Sequence, residues 1–149
     1  MSAGPDSQRQ RWLSVFSRAS LDALQAAIKE IGPPCEAHWL RRPETGAVMT
    51  RGRMGGSGAP FNMGEMTVTR AAVRLADGTV GMGYAAGRSH HKAELIAQLD
   101  AVLQQHPERA EAIIAPIEGS LAQQKAESAR KAAATKVEFF TLVRGENQK

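Results

Sequence analysis

Four arginines bracket a glycine-rich stretch. Arg51 and Arg53 come before Gly55-Gly56-Ser57-Gly58, and Arg70 and Arg74 come after it. Glycines let successive backbone N–H groups converge on an anion, and guanidinium groups grip phosphate or carboxylate through paired donors. These eight residues are therefore candidates for holding a phosphate-bearing ligand or for facing an acidic partner. The glycines do not form a P-loop, since no Gly-Lys-Ser/Thr follows. They do not form a dinucleotide-binding turn either, since the flanks read as antiparallel strands with no helix opening after them. Residues four apart on a strand lie about 13 Å apart. Arg70 and Arg74 could thus span a polyphosphate or an acidic groove, but not one phosphate. The structural alternatives are a mobile hairpin loop and a solvated strand face, and the pattern leaves both open.

Other reactive side chains offer less. His90 and His91 open a helix with Glu94 behind them. Adjacent residues on a helix diverge by about 100°, so the two histidines do not converge on one ion, and no metal is expected. His91 and Glu94, three apart, can share a face. Cys35 is the one cysteine; it cannot form an internal disulfide and reads as a small buried hydrophobe. There is no CxxC, no Ser/His/Asp order and no paired-carboxylate motif, so catalytic residues stay unassigned.

Several elements must position these groups. Ser7–Gln10 reads as a capping box for a helix reaching about residue 19, with Trp12, Leu13, Phe16 and Ala19 on one side. Ser20 reads as the N-cap of a second helix, striped by Leu21, Leu24, Ala27, Ile28 and Ile31 and stopped by Gly32-Pro33-Pro34. From Cys35 the period becomes two. A first strand runs to a turn at Pro43-Glu44-Thr45-Gly46. A second, about Ala47–Met54, places Ala47, Met49, Arg51 and Arg53 on one face. The loop Gly55–Glu65 leads to a third, Met66–Leu75, with Val68, Arg70, Ala72 and Arg74 opposite Thr67, Thr69, Ala71, Val73 and Leu75. Asp77-Gly78 is a hairpin signal. The fourth strand, Thr79–Ala86, sets Val80, Met82 and Tyr84 against Gly81 and Gly83, a bare face that another backbone can approach. Gly87-Arg88-Ser89 turns into a long helix with Leu95, Ile96, Leu99, Val102 and Leu103 inside, ending at His106-Pro107. A short helical segment reaches Pro116. Ser120–Gln123 then opens an alanine-rich helix to about Ala134 that has little to bury by itself. The final segment, Lys136–Val143, is β-like, and its adjacent Phe139 and Phe140 need cover on opposite sides.

Composition sets the outer limits. The chain has 149 residues, 42% hydrophobic and 23% charged, which suits one globular domain. A net charge of +4 and a pI near 9.6 favour anionic partners. Aromatic residues are only 5%, which weighs against a base-stacking platform for single strands. The N-terminus has no apolar run resembling a signal peptide, and no stretch is long and apolar enough to span a membrane. A cytoplasmic location is expected. A stand-alone basic nucleic-acid-binding module is the alternative functional class, although no RNP, helix-turn-helix or zinc-finger pattern supports it.

Several segments, taken in order, resemble PhnG, the G subunit of the carbon–phosphorus lyase core complex of bacteria. They are Arg53-Met54-Gly55-Gly56-Ser57-Gly58; Thr69–Leu75 with Asp77-Gly78-Thr79; Gly87-Arg88; Ala93-Glu94 with Leu99-Asp100-Ala101; Ile114-Ala115-Pro116; and Val137–Thr141 with Val143-Arg144-Gly145-Glu146. Arg11-Trp12 and Glu44-Thr45-Gly46 also fit, while Ser89–Lys92 is the least family-like piece. The resemblance implies an accessory subunit of a transferase complex. That complex joins a phosphonate to the ribose 5-triphosphate moiety of ATP and displaces adenine. The resemblance further implies PhnI-, PhnH- and PhnJ-type partners and PhnL- or PhnK-type ATP-binding subunits. It implies no cofactor of this chain's own, with ATP as a substrate of the complex and neither nucleic acid nor membrane as a partner. The radical chemistry would belong to the J subunit. The expected fold is α+β: a single domain over residues 1–149, with an antiparallel sheet of about four strands between helices. Its C-terminal helix and short strand, including Phe139, Phe140 and Arg144, are partner-interface candidates.

Overall fold

A computed structural model describes residues 5–135 of the chain. Two helices, α1 (Pro5–Arg18) and α2 (Leu21–Ile31), precede three strands, β1 (Ala37–Arg53), β2 (Pro60–Leu75) and β3 (Val80–Ala86). Then come α3 (His90–Gln105) and α4 (Ala110–Ala134). The sheet is antiparallel in the order β1-β2-β3, so the fold is α+β, with helices on either side of the strands in sequence.

Three strands replace the expected four because Pro43–Gly46 is not a turn. The chain runs through it as one 17-residue strand, with register shifts between Trp39 and Arg41 and between Arg41 and Glu44. Each shift inserts an extra β1 residue, and the bulged edge strand accommodates Pro43, which has no N–H to give a ladder. β2 likewise begins at Pro60 rather than Met66, which shortens the glycine loop. Ser7 lies inside α1 rather than capping it, since the helix is already under way at Pro5, a residue favoured in a first turn. Ser20 does cap α2: its hydroxyl accepts from the Ala23 amide at 3.2 Å.

The glycine face of β3 sets the docking of α3. A Cβ at Gly83 would lie 1.9 Å from the Ala93 carbonyl oxygen, and one at Gly81 would lie 2.1 Å from that of Ala97. Only bare backbone fits there, and α3 answers with small Ala93, Ala97 and Ala101, all buried. The other side of α3 sends Leu95, Ile96, Leu99, Val102 and Leu103 into a core shared with Trp12, Phe16, Leu24, Ile113 and Ile114. A helical residue's neighbours at i+3 and i+4 share its face, which is why two stripes on one helix meet two different layers.

One carboxylate locks these layers together. Asp100 is fully buried on α3. Its Oδ1 accepts from Arg9 Nε at 3.1 Å and Trp12 Nε1 at 2.8 Å. Its Oδ2 accepts from Arg9 Nη2 and from the Met82 amide, each at 2.8 Å, and from Gln104 Nε2 at 3.2 Å. Arg9 and Gln104 also donate to the Val80 carbonyl at 3.2 and 2.8 Å. A buried charge is tolerated when its lone pairs are so fully answered. The same bonds occupy the outward Met82 amide and Val80 carbonyl of β3.

α4 is one helix from Ala110 to Ala134, with Pro116 inside it, not two segments broken at the proline. Ala110, Ile113, Ile114 and Ile117 hold the apolar period across Pro116 and are buried. Pro116 and Ala112, the residue whose carbonyl loses a donor, both face solvent, where water can replace that bond. From Ala122 to Thr135 every residue is exposed, as the alanine-rich composition led one to expect. The segment expected as a strand at Lys136–Val143 lies outside the described residues. None of the described helices is long and apolar enough to cross a membrane.

Candidate functional site

β1 and β2 continue well past the end of β3. The β2–β3 pairing stops at Val68↔Ala86, whereas β1 and β2 stay paired out to Arg53↔Pro60. The outer part is therefore a two-stranded ribbon, and from Arg51 to Met66 no residue is buried. Met49, Met54, Phe61, Met63 and Met66 are 43–71% exposed there. A two-stranded ribbon is marginal in water without a third layer, and methionine suits surfaces that must adapt to another.

At the tip, Gly55 and Gly56 take φ values of 59° and 83°, a region that side chains other than glycine's seldom enter. The turn folds around its own Met54 carbonyl, which accepts from the amides of Ser57 and Gly58. Those two N–H groups are therefore already spent, and a Cβ at Gly58 would sit 2.6 Å from the same oxygen. Arg53 Nη1 donates to the Gly58 carbonyl at 3.3 Å. Among the described residues Arg51 has no ion-pair partner.

The other arginine pair lies elsewhere. Register sets Arg70 opposite Tyr84 on one side and Glu44 on the other, and Arg74 between Val80 and His38. These residues share the sheet face turned away from α3, since Ala71, Val73 and Leu75 take the buried face. Arg51 and Arg53 continue the opposite face, through Ala47↔Thr67 and Met49↔Glu65. Glu44 and Arg51 are seven residues apart on β1, about 23 Å along the strand. The structure thus separates the four arginines into two pairs on two faces instead of gathering them around the glycines.

Around Arg70 there is a built cluster. Its Nε donates to Glu44 Oε1 at 2.8 Å, and Arg41 Nη1 reaches the same oxygen. Arg41 first, then Arg70, hold the Glu44 carboxyl below the usual carboxylate range. Beside them is a cavity of about 540 Å³ lined by Leu13, Ser17, Ala72, Met82 and Tyr84 as well as the two arginines. Its volume is within the range of small-molecule pockets, with an apolar wall and a charged rim. Arg74 has no ion-pair partner among the described residues.

His90 and His91 go separate ways. His90 Nε2 lies 3.0 Å from Thr45 Oγ1, which is 3.2 Å from Thr69 Oγ1; Thr69, fully buried, donates to the Gly87 carbonyl at 2.7 Å. His91 meets Glu94 at 3.4 Å and Gln25 at 3.2 Å. Among the described residues no three His, Cys, Asp or Glu side chains come together to hold a metal ion. Cys35 is exposed, contrary to the buried position expected of it, because it lies in the bend between α2 and β1 and not in the strand itself. Phe139, Phe140 and Arg144 fall outside the described residues.

Sequence reasoning missed Arg41, Glu44 and Asp100. Glu44 was hidden by the turn reading of Pro43–Gly46. Asp100 left a usable signal: it follows Ile96 by four and precedes Leu103 by three, a carboxylate within an apolar stripe.

The sequence matches the family model described as "Phosphonate metabolism protein PhnG" over residues 7–145. A relative from Rhizobium meliloti (strain 1021) is 43% identical over 142 residues, covering 94% of this chain and 91% of the relative. That protein is named "Alpha-D-ribose 1-methylphosphonate 5-triphosphate synthase subunit PhnG".

Proposed function

The chain belongs to the PhnG family of phosphonate-metabolism proteins, and from that premise we propose that it is an accessory subunit of a phosphonate-transferring synthase. In this reading the complex joins a phosphonate, such as methylphosphonate, to the ribose 5-triphosphate moiety of ATP. A phosphonate oxygen bonds to ribose C1′ as the glycosidic bond to adenine breaks, and adenine leaves with that electron pair and a proton. The nucleosidase-like chemistry belongs mainly to an I-type subunit, working with H- and L-type subunits in the cytoplasm.

One observation carries this reading: the basic, methionine-rich ribbon has no buried residue from Arg51 to Met66. A segment that buries nothing in its own fold is stabilised when another polypeptide covers it. Bringing a phosphonate dianion against a triphosphate-bearing nucleotide requires cations that offset the charge and a surface that excludes water. Arg51 and Arg53 supply such charge on the ribbon, and Arg70 and Arg74 supply it on the open sheet face.

Reconstitution tests the proposal. The complex is assembled with this chain carrying Arg53→Ala or Arg70→Ala, and adenine release is measured with and without phosphonate. The expected result is adenine release that becomes uncoupled from phosphonate transfer, or an assembly that is lost. Intact assembly with unchanged coupling in both variants would remove these residues from the site.

A further inference from the structure

We propose that the outer edge of β1, from Thr45 to Arg53, is a strand-addition site that takes an extended acidic segment of a partner subunit as the next strand of the sheet. The inference rests on the subunit reading above and specifies how the partner is held.

The direction of each peptide group follows from the hydrogen bonds. The Gly87 amide donates to the Thr67 carbonyl at 2.9 Å, so Thr67 faces β3. At the far end the Leu75 amide donates to the Thr79 carbonyl at 2.9 Å, which agrees. Peptide groups in an antiparallel ladder alternate between the two neighbours, so odd-numbered β2 residues in this stretch face β3 and even-numbered ones face β1. Thr45, Ala47 and Met49 lie opposite Thr69, Thr67 and Glu65. Their N–H and C=O groups therefore point away from β2, toward the outer edge. The irregularity after Thr50 adds its extra residue to β2, since Thr50↔Gly64 is followed by Arg51↔Asn62. The alternation on β1 is thus unbroken, and Arg51 and Arg53 also present their peptide groups outward. Among the described residues only β2 pairs with β1.

Such a row of outward peptide groups is a template for another strand. Elsewhere the sheet blocks this. On β3, Asp100, Arg9 and Gln104 occupy the outward Met82 amide and Val80 carbonyl. On β1, the stretch before Glu44 carries two bulges, Arg41, Arg42 and Pro43, all devices that blunt an edge. From Thr45 to Arg53, β1 itself adds no extra residue and carries no proline.

Charge selects the occupant. Ala47, Met49, Arg51 and Arg53 share one face of the ribbon, with Met49 54% exposed. An incoming strand that sets an apolar residue beside Met49 and carboxylates beside Arg51 and Arg53 gains both cross-strand contacts. A second copy of this chain would instead bring one basic edge against another.

Hydrogen exchange on the full chain, alone and in the assembly purified with its synthase partners, tests this. The amides of Ala47, Met49 and Arg51 should exchange rapidly in the free chain and at least about tenfold more slowly in the assembly, as expected for newly formed backbone hydrogen bonds. Met49→Pro, which removes an outward donor, should weaken assembly about tenfold while the free chain melts as before. An intact assembly in which these amides still exchange rapidly would overturn strand addition and leave the subunit reading standing. No assembly at all would sink both. Protection already present in the free chain would also overturn it: protection lost on dilution of a dimer would assign the edge to a second copy, and protection lost on deletion of residues 136–149 would assign it to the chain's own tail.

Discussion

The two edges of the sheet differ in how their backbone is treated. At β3, side chains from two helices occupy the outward groups: Asp100 accepts from the Met82 amide, and Arg9 and Gln104 donate to the Val80 carbonyl. Along the β1–β2 ribbon the described helices give no such cover, and no residue from Arg51 to Met66 is buried. The β1 edge beyond Glu44 has neither bulge nor charge cluster until Arg51 and Arg53. The lesson is that edge protection here comes from residues remote in sequence. Where α1 and α3 cover the sheet it is sealed, and where the strands outrun the helices it is left for something else.

The sharpest way to break this contrast is to unseal β3. Asp100→Ala should destabilise the fold by about 3–5 kcal/mol, because it strands Arg9 and leaves Trp12 Nε1 and the Met82 amide without their acceptor. Urea unfolding measures this, and a loss below about 1 kcal/mol would mean the hub is dispensable. A neighbouring test acts on the glycine face. Gly83→Ala forces a methyl group against the Ala93 carbonyl and should cost about 1–3 kcal/mol through displacement of α3. An unchanged melting temperature would show that the helix is free to shift.

Substitutions on the ribbon should do the reverse. Arg51→Ala or Met63→Ser should change the stability of the isolated chain by no more than about 0.5 kcal/mol, yet weaken assembly in a pull-down with the partner subunits. A large loss of intrinsic stability would mean the ribbon packs against its own chain. The smallest effect is acid-dependent. The Glu44 carboxyl is held low by Arg41 and Arg70, so its contribution is present above the ordinary carboxylate pKa and fades as pH falls through its depressed value. Glu44→Gln should therefore melt slightly lower than the parent chain at about pH 7, and the gap should close toward about pH 3. A gap independent of pH would assign the effect to shape instead of charge. Because the cluster is solvent-exposed, the effect is small at any pH.

Much of this frame was legible beforehand. Gly81 and Gly83 alternating with larger residues announced a close backbone approach, and α3 makes it. Ser20, Gly32 and the His106-Pro107 stop also read correctly, since caps and breakers act over a few residues. Two of the misreadings came from proline. Pro43 looked like a turn and Pro116 like a helix end, because a missing N–H is costly only where a donor is required. On a bulged edge and on a solvent-facing turn it is not, and the surrounding apolar period prevails. The arginine pairs show a different limit. Their types and spacing were visible, but which face each pair takes depends on register. The partners Arg41 and Glu44 were obscured once the strand had been cut at Pro43.

The sealing of β3 has a bearing on stoichiometry. A subunit able to accept a strand on both sides could be joined end to end without limit, as fibrils are. With the Met82 amide and Val80 carbonyl taken by the chain's own carboxylate and guanidinium, strand addition as proposed above would extend each copy on the β1 side alone.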